Sequence, residues 1–204
     1  MLGNLFCVSI TGGIASGKTT VLQLFKQLNI HTVSADHIAR DIVKPNTHLL
    51  TQIIQYFGDG ILQSDGTLNR KALREIIFIS PQKRQWLENL LHPVIREEII
   101  AQAKKSQSIY CIIDIPLLPK THSYDYLDYI ITVDCSINTQ ITRLINRDNT
   151  SIEKAYQIID SQPKRAERYL ISDYIIQNIN EKSMLKPQVE SIHKHLLELA
   201  NKVI

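Results

Sequence analysis

The chain has 204 residues, 44% apolar and 21% charged, with seven Gly and seven Pro, enough for a sizeable core and too balanced for a disordered, collagenous or mucin-like protein. Lys and Arg outnumber Asp and Glu by 23 to 20, a net charge of +3. A dedicated nucleic-acid binder shows a stronger basic excess, so no nucleic-acid partner is expected and anionic small molecules are.

Short apolar runs alternate with helical patterns along the chain. Leu5 to Ile10 is a near-continuous apolar run, as in a parallel strand buried on both faces. A glycine-rich turn follows, and from Lys18 to Leu28 the residues Val21, Leu22, Leu24, Phe25 and Leu28 recur on one helical face. His31 to Ser34 is a second strand. About 75 residues then separate it from the third, Tyr110 to Ile115, far more than a crossover requires. That excess reads as a helical insertion over about 40–105. Its helices are expected at Leu49 to Phe57, Asn69 to Phe78, Gln82 to Leu91 and Pro93 to Lys104, with Pro93 opening the last. Tyr129 to Val133 and Tyr174 to Ile176 complete five strands. Between them, about 138–172, lies a basic segment with Arg143, Arg147, Lys154, Lys164, Arg165 and Arg168, expected as a helical hairpin acting as a lid. A C-terminal helix carries Val189, Ile192, Leu196 and Leu199. The class is α/β, a doubly wound parallel sheet, with core segments 1–39, 106–137 and 173–204.

Cys7, Cys111 and Cys135 are odd in number and set in apolar runs, which favours small buried hydrophobes over a disulfide framework or metal cluster. No basic residue precedes Lys18 and no apolar stretch reaches the length of a membrane span, so neither a secretory signal nor a membrane partner is expected, and a cytoplasmic location is.

The sharpest motif is Gly12-Gly-Ile-Ala-Ser-Gly-Lys-Thr19, a match to G-x-x-x-x-G-K-[ST] between a strand and a helix. Such a P-loop directs the backbone N–H groups of Gly13, Ile14, Ala15, Ser16, Gly17, Lys18 and Thr19 at a phosphate, with Thr20 beside them. Lys18 then serves the β and γ phosphates of a nucleotide, and the Thr19 hydroxyl serves Mg2+. An ordinary glycine turn is the plainer alternative.

Asp36 follows the second strand, where ligands bind in open α/β sheets. It is either a carboxylate that takes or orients an acceptor's hydroxyl proton or the N-cap of the next helix. Asp114, at the carboxyl end of the third strand, is either a magnesium carboxylate or the partner of a neighbouring cation. Arg143 and Arg147, spaced i, i+4, share a face and are either phosphate clamps or part of a solvated surface. His92, before Pro93, is either a polar contact to the acceptor or a helix-start residue.

These pieces resemble the dephospho-coenzyme A kinase family from Phe6 to Asn178. The resemblance rests on Ile10 to Thr19, Ala35-Asp36-His-Ile-Ala-Arg40, Asp65-Gly-Thr-Leu-Asn-Arg70, His92-Pro-Val-Ile95 and Pro116-Leu-Leu118. It continues through Val133-Asp134, Gln140, Arg143, Arg147, Gln162, Arg165 and Asp173 to Asn178. It implies a P-loop kinase that moves the γ-phosphoryl group of ATP to the ribose 3′-hydroxyl of dephospho-coenzyme A, the last step of coenzyme A synthesis, with Mg2+ as cofactor. It also implies an acceptor-binding role for the helical insertion. Asp36 falls on the family's base and Arg143 on its lid arginine. Lys18 stands with them as catalytic, Arg147 and Asn178 as nucleotide-binding, and Arg40, His92, Leu117 and Arg165 with Asp36 as acceptor-binding. A monomer or weak homo-oligomer is expected. Three departures from the family pattern stand out: Ser34 for an Asp, Pro119-Lys120 for an apolar residue and Glu, and Asn180 for a Gly. Another P-loop nucleotide or small-molecule kinase, or a catalytically impaired nucleotide-binding protein, is the alternative.

Overall fold

In a computed structural model of the chain, residues 5–116, 118, 124–179 and 184–203 are described. Leu117, Pro119, Lys120 and Asn180 lie outside them. Contacts divide the chain into two compact units, one of residues 1–34 and 102–204, the other of 35–101.

The first unit is built on five strands: β1 (Phe6–Gly12), β2 (His31–Ser34), β3 (Tyr110–Asp114), β4 (Tyr129–Asp134) and β5 (Tyr174–Gln177). All pair in parallel, in the order β2-β3-β1-β4-β5. Val8, Ile10, Tyr110, Ile112, Ile131, Val133 and Ile176 alternate onto one face, the period of two that a strand imposes. Helices α1 (Lys18–Gln27) and α9 (Leu185–Ala200) close over that face with Val21, Phe25, Val189, Ile192 and Leu196. Parallel strands place their carboxyl ends on one edge, and β1 there runs straight into the glycine-rich loop ahead of α1. All three cysteines are free and buried. Burial pushes the Cys7 and Cys111 thiols up to about 12, which makes them inert hydrophobes. Three helices link β4 to β5: α6 (Ile137–Asp148), α7 (Ile152–Asp160) and α8 (Arg165–Leu170). Ser136 and Ser151 cap the first two, each accepting from the amide three residues on, at 3.1 and 3.2 Å.

The second unit is helical, with α2 (Ala35–Asp41), α3 (His48–Phe57), a short 3-10 turn at Asp59–Ile61, α4 (Arg70–Ile79) and α5 (Pro81–Ala103), the last running on into the first unit. Its core gathers Val43, Leu50, Ile53, Ile61, Leu68, Leu73 and Leu87, with Tyr56 stacked on Trp86 at 3.9 Å between centroids. One expectation fails here. Pro93 does not open a helix but stands inside the 23-residue α5, which spans both expected segments. Pro81 takes the first-turn position instead, with the Ser80 hydroxyl accepting from the Lys83 amide at 3.4 Å. An internal proline costs a helix about 3 kcal/mol. Leu87 on one side of it and Ile99 on the other are both buried, and such anchoring offsets that cost.

Candidate active site

The loop between β1 and α1 takes its shape from backbone geometry that few residues tolerate. Ala15 sits at φ 57° and Gly17 at φ 96°. A Cβ on Gly17 would run into Asn178 as well as demanding a left-handed backbone, so Gly is required there. At Gly12 a Cβ would come within 2.5 Å of the Val133 carbonyl; the requirement there is close approach to β4.

Side chains from the rest of the first unit hold this loop by its carbonyls. Gln140 on α6 donates to the Ile14 carbonyl at 2.6 Å, and Arg143, one turn on, donates from Nη1 to the carbonyls of Ala15 and Ser16 at 3.1 and 3.2 Å. Asn178, just past β5, donates to the Ser16 carbonyl at 2.6 Å. The Ile14 amide is taken by Gln162 at 2.8 Å. Ile14 and Ala15 also pack against Ile141, Leu144 and Ala155 of α6 and α7. By contrast, among the described residues the amides of Ala15, Gly17, Lys18 and Thr19 make no hydrogen bond to protein. A loop with its carbonyls occupied and its amides free at the start of a helix has the geometry that anion binding requires.

The charged groups at this edge are paired. The Lys18 ammonium bonds the Asp114 carboxylate at the end of β3, both largely buried, so the cation-pairing alternative for Asp114 is the contact seen. Thr19 is exposed at the start of α1. Asp134, buried at the end of β4, accepts from Arg165 and, at 2.7 Å, from the Tyr169 hydroxyl. Arg168 is half-buried with its Nη2 lying 3.1 Å from where a Gly13 Cβ would stand, and burial draws its guanidinium below the ordinary arginine range. Arg147 differs from Arg143. It is exposed, and its guanidinium grips Asp148 with two contacts of 2.7 Å.

In the second unit Asp36 stands exposed in the first turn of α2, a helix that already begins at Ala35. It is therefore inside the helix rather than at its cap. Arg40 is exposed one turn later and His92 is half-buried in mid-α5. Sequence reasoning named Gln140 and Gln162 without giving them a job. A polar residue at Gln140, on the face that Ile141 and Leu144 bury, was the available signal.

The family pattern of the dephospho-CoA kinases matches residues 6–183. The chain belongs to that family. Among its relatives, the dephospho-CoA kinase of Vibrio parahaemolyticus is 42% identical over 96% of this chain and 96% of its own length. That of Shewanella oneidensis is 43% identical, covering 96% and 95%. The dephospho-CoA kinase structure from Campylobacter jejuni superposes with a TM-score of 0.70 at 28% identity, covering 94% of this chain and 97% of that one. Membership makes the chain a kinase, using ATP, of the final step of coenzyme A biosynthesis.

Proposed function

We propose that this dephospho-CoA kinase transfers the γ-phosphoryl group of ATP to the ribose 3′-hydroxyl of dephospho-coenzyme A, with Asp36 as base and Lys18 and Arg143 as stabilising cations. The observation that supports the phosphate end of this reading is the loop whose Ile14, Ala15 and Ser16 carbonyls are engaged by Gln140, Arg143 and Asn178 while four amides stay free. Preorganised N–H donors stabilise charge building on transferred oxygens without reorganising during the reaction. The Lys18 ammonium is held at the same edge by Asp114, within a helix turn of the amides it complements. Asp36, exposed and unencumbered by a cap, takes the acceptor's hydroxyl proton, and Arg40, His92 and Leu117 belong to the acceptor's side. Arg165, held by Asp134, serves through the lid helices α6–α8, and Arg147 serves the nucleotide.

Mg2+ fits the donors present. Thr19 and Asp114 offer hard oxygens, and among the described residues no group of three or more His, Cys, Asp or Glu forms a protein cage. Magnesium prefers such sites, retaining waters and substrate phosphates. When bound there it neutralises charge on the β and γ phosphates. Among the described residues no helix is long and apolar enough to cross a membrane, and we assign the enzyme to the cytoplasm as a monomer or weak homo-oligomer. Mass spectrometry tests the reading: dephospho-coenzyme A incubated with ATP, magnesium and the protein gains one phosphoryl mass, and with the product's position assigned to the 3′ carbon. No gain, with another acceptor phosphorylated instead, would favour a different P-loop kinase.

A further inference from the structure

Gly13 is left open by the G-x-x-x-x-G-K-[ST] pattern, and it does not adopt the left-handed backbone of Gly17. The position is distinguished by what lies against it. A Cβ there would stand 2.5 Å from Gln140 Nε2 and 3.1 Å from Arg168 Nη2, so the missing side chain leaves a slot that an amide and a guanidinium share. Gln140 has its own use for the place, donating to the Ile14 carbonyl. Arg168 is the less expected occupant. Its backbone is fixed from the sheet: the Ser172 hydroxyl donates to its carbonyl at 2.6 Å and shares a 2.6 Å hydrogen bond with the Thr132 hydroxyl of β4. The guanidinium donates from Nη1 to the Pro163 carbonyl, while Nε is buried with no hydrogen-bond partner among the described residues. Nor is it bonded to a carboxylate among them; Asp134, whose charge it feels, accepts from Arg165 and Tyr169 instead. A half-buried cation without a bonded carboxylate is costly as packing alone, and an apolar side chain of similar length would serve that purpose better.

We propose that Arg168 is a positioning residue for the nucleotide: it fills the slot at Gly13, holds the first turn of the glycine-rich loop in place and adds a fixed positive charge to it. The inference rests on the proposed reading of that loop as the phosphate site and extends it to a residue that reading leaves without a role. Arg143 reaches the loop from α6 through the carbonyls of Ala15 and Ser16. Arg168 reaches it from α8 at Gly13, so two helices each place a guanidinium on the loop, at separate points. Oriented N–H groups and a cation that need not move during the reaction act together on an oxyanion, and a unit charge counts for more where water is excluded. Arg168 therefore acts through the loop and not by touching the substrate.

Wild-type protein is compared with Arg168→Met, Arg168→Gln, Arg168→Lys and Lys164→Gln, the last removing an exposed charge from the start of the same helix. ATP binding is measured by calorimetry, the KM of each substrate by steady-state kinetics and folding by thermal melts. Arg168→Met should weaken ATP about tenfold or more, the scale of one charge-assisted contact, leave the KM for dephospho-coenzyme A unchanged and hold or raise the melting temperature. Arg168→Lys should recover part of the ATP affinity, and Lys164→Gln should bind ATP as the wild type does. Weaker ATP binding by a protein no less stable is a result that a part in the fold alone would not produce. Undiminished ATP binding by folded Arg168→Met and Arg168→Gln, a loss equalled by Lys164→Gln, a loss that comes only with a lowered melting temperature, or failure of both neutral variants to fold overturns the assignment. Failure of the wild type to bind ATP would instead strike at the reading of the loop.

Discussion

Asn178 reaches back across 162 positions of the chain to donate from Nδ2 to the carbonyl of Ser16 at 2.6 Å, tying the end of β5 to the glycine-rich loop. The residue is buried, and its own amide donates to the Asp134 carbonyl at 2.7 Å, so its position is set by the sheet and not by its rotamer alone. Rigid strands therefore deliver the loop's support.

Asn178→Ala should cost about 1 kcal/mol, the scale of one hydrogen bond, because the Ser16 carbonyl keeps Arg143 as a donor, and should raise the KM for ATP by loosening the loop. Thermal denaturation and steady-state kinetics with ATP varied check both. A lower melting temperature with an unchanged KM would mean that the contact serves the fold only.

For Lys18 and Asp114, a partly buried pair, removing either charge leaves the other uncompensated. Lys18→Ala should lose both stability and, by about 10² or more, kcat. Adding Asp114→Asn should restore much of the stability and none of the turnover. A double variant that regained activity would show that Lys18 acts only as the counter-ion of Asp114.

The sheet and the glycine-rich loop were legible in the sequence because both are local. Apolar runs such as Tyr110 to Ile113 mark strands by themselves, and a glycine-rich turn between strand and helix carries its geometry in its spacing. What stayed hidden depends on distant partners. Nothing near Pro93 says that α5 runs through it; the anchors are Leu87 and Ile99. Arg143 and Arg147 look equivalent on a helical wheel, yet one meets loop carbonyls and the other meets Asp148. Only the placement of α6 against Ile14 and Ala15 separates them.

Asp36 is exposed and lies inside the first turn of α2, so the capping role that would confuse its replacement is removed. Asp36→Asn should reduce phosphoryl transfer by about 10² or more, the usual scale for a positioned base, with melting temperature and ATP binding close to wild type. Retained turnover with a lowered melting temperature would return Asp36 to a structural part.

His193 on α9 shares a 2.6 Å hydrogen bond with the buried Tyr110 hydroxyl, and burial holds its imidazole below the ordinary histidine range. The unfolded chain then binds this proton more readily than the folded one. Above the unfolded value both states are neutral and the group has no effect; as pH falls through that value the folded state loses stability. Chemical denaturation between pH 8 and pH 5 should show a steeper loss for wild type than for His193→Gln. Parallel curves would place the acid sensitivity elsewhere.

Helices α6–α8, proposed above as a lid, invite the comparison of a specific contact with a diffuse field. Arg143 is half-buried and reaches two loop carbonyls, whereas Lys154 is exposed on α7, where a lone charge contributes little. Closure over phosphates excludes water, so a cation inside the closed site acts at low effective dielectric and is poorly screened. Arg143→Ala should therefore lower kcat/KM for dephospho-coenzyme A by about 10², and Lys154→Ala should barely change it. The two variants should also part company with salt. Interactions between exposed charges fade as the Debye length shrinks to about 3 Å at 1 M, so any Lys154 effect at low ionic strength should vanish there. The Arg143 deficit should largely persist. Equal deficits that disappear together in high salt would reduce the whole segment from 138 to 172 to a general positive field, with Arg143 holding the loop's shape and doing nothing for the transferred phosphate.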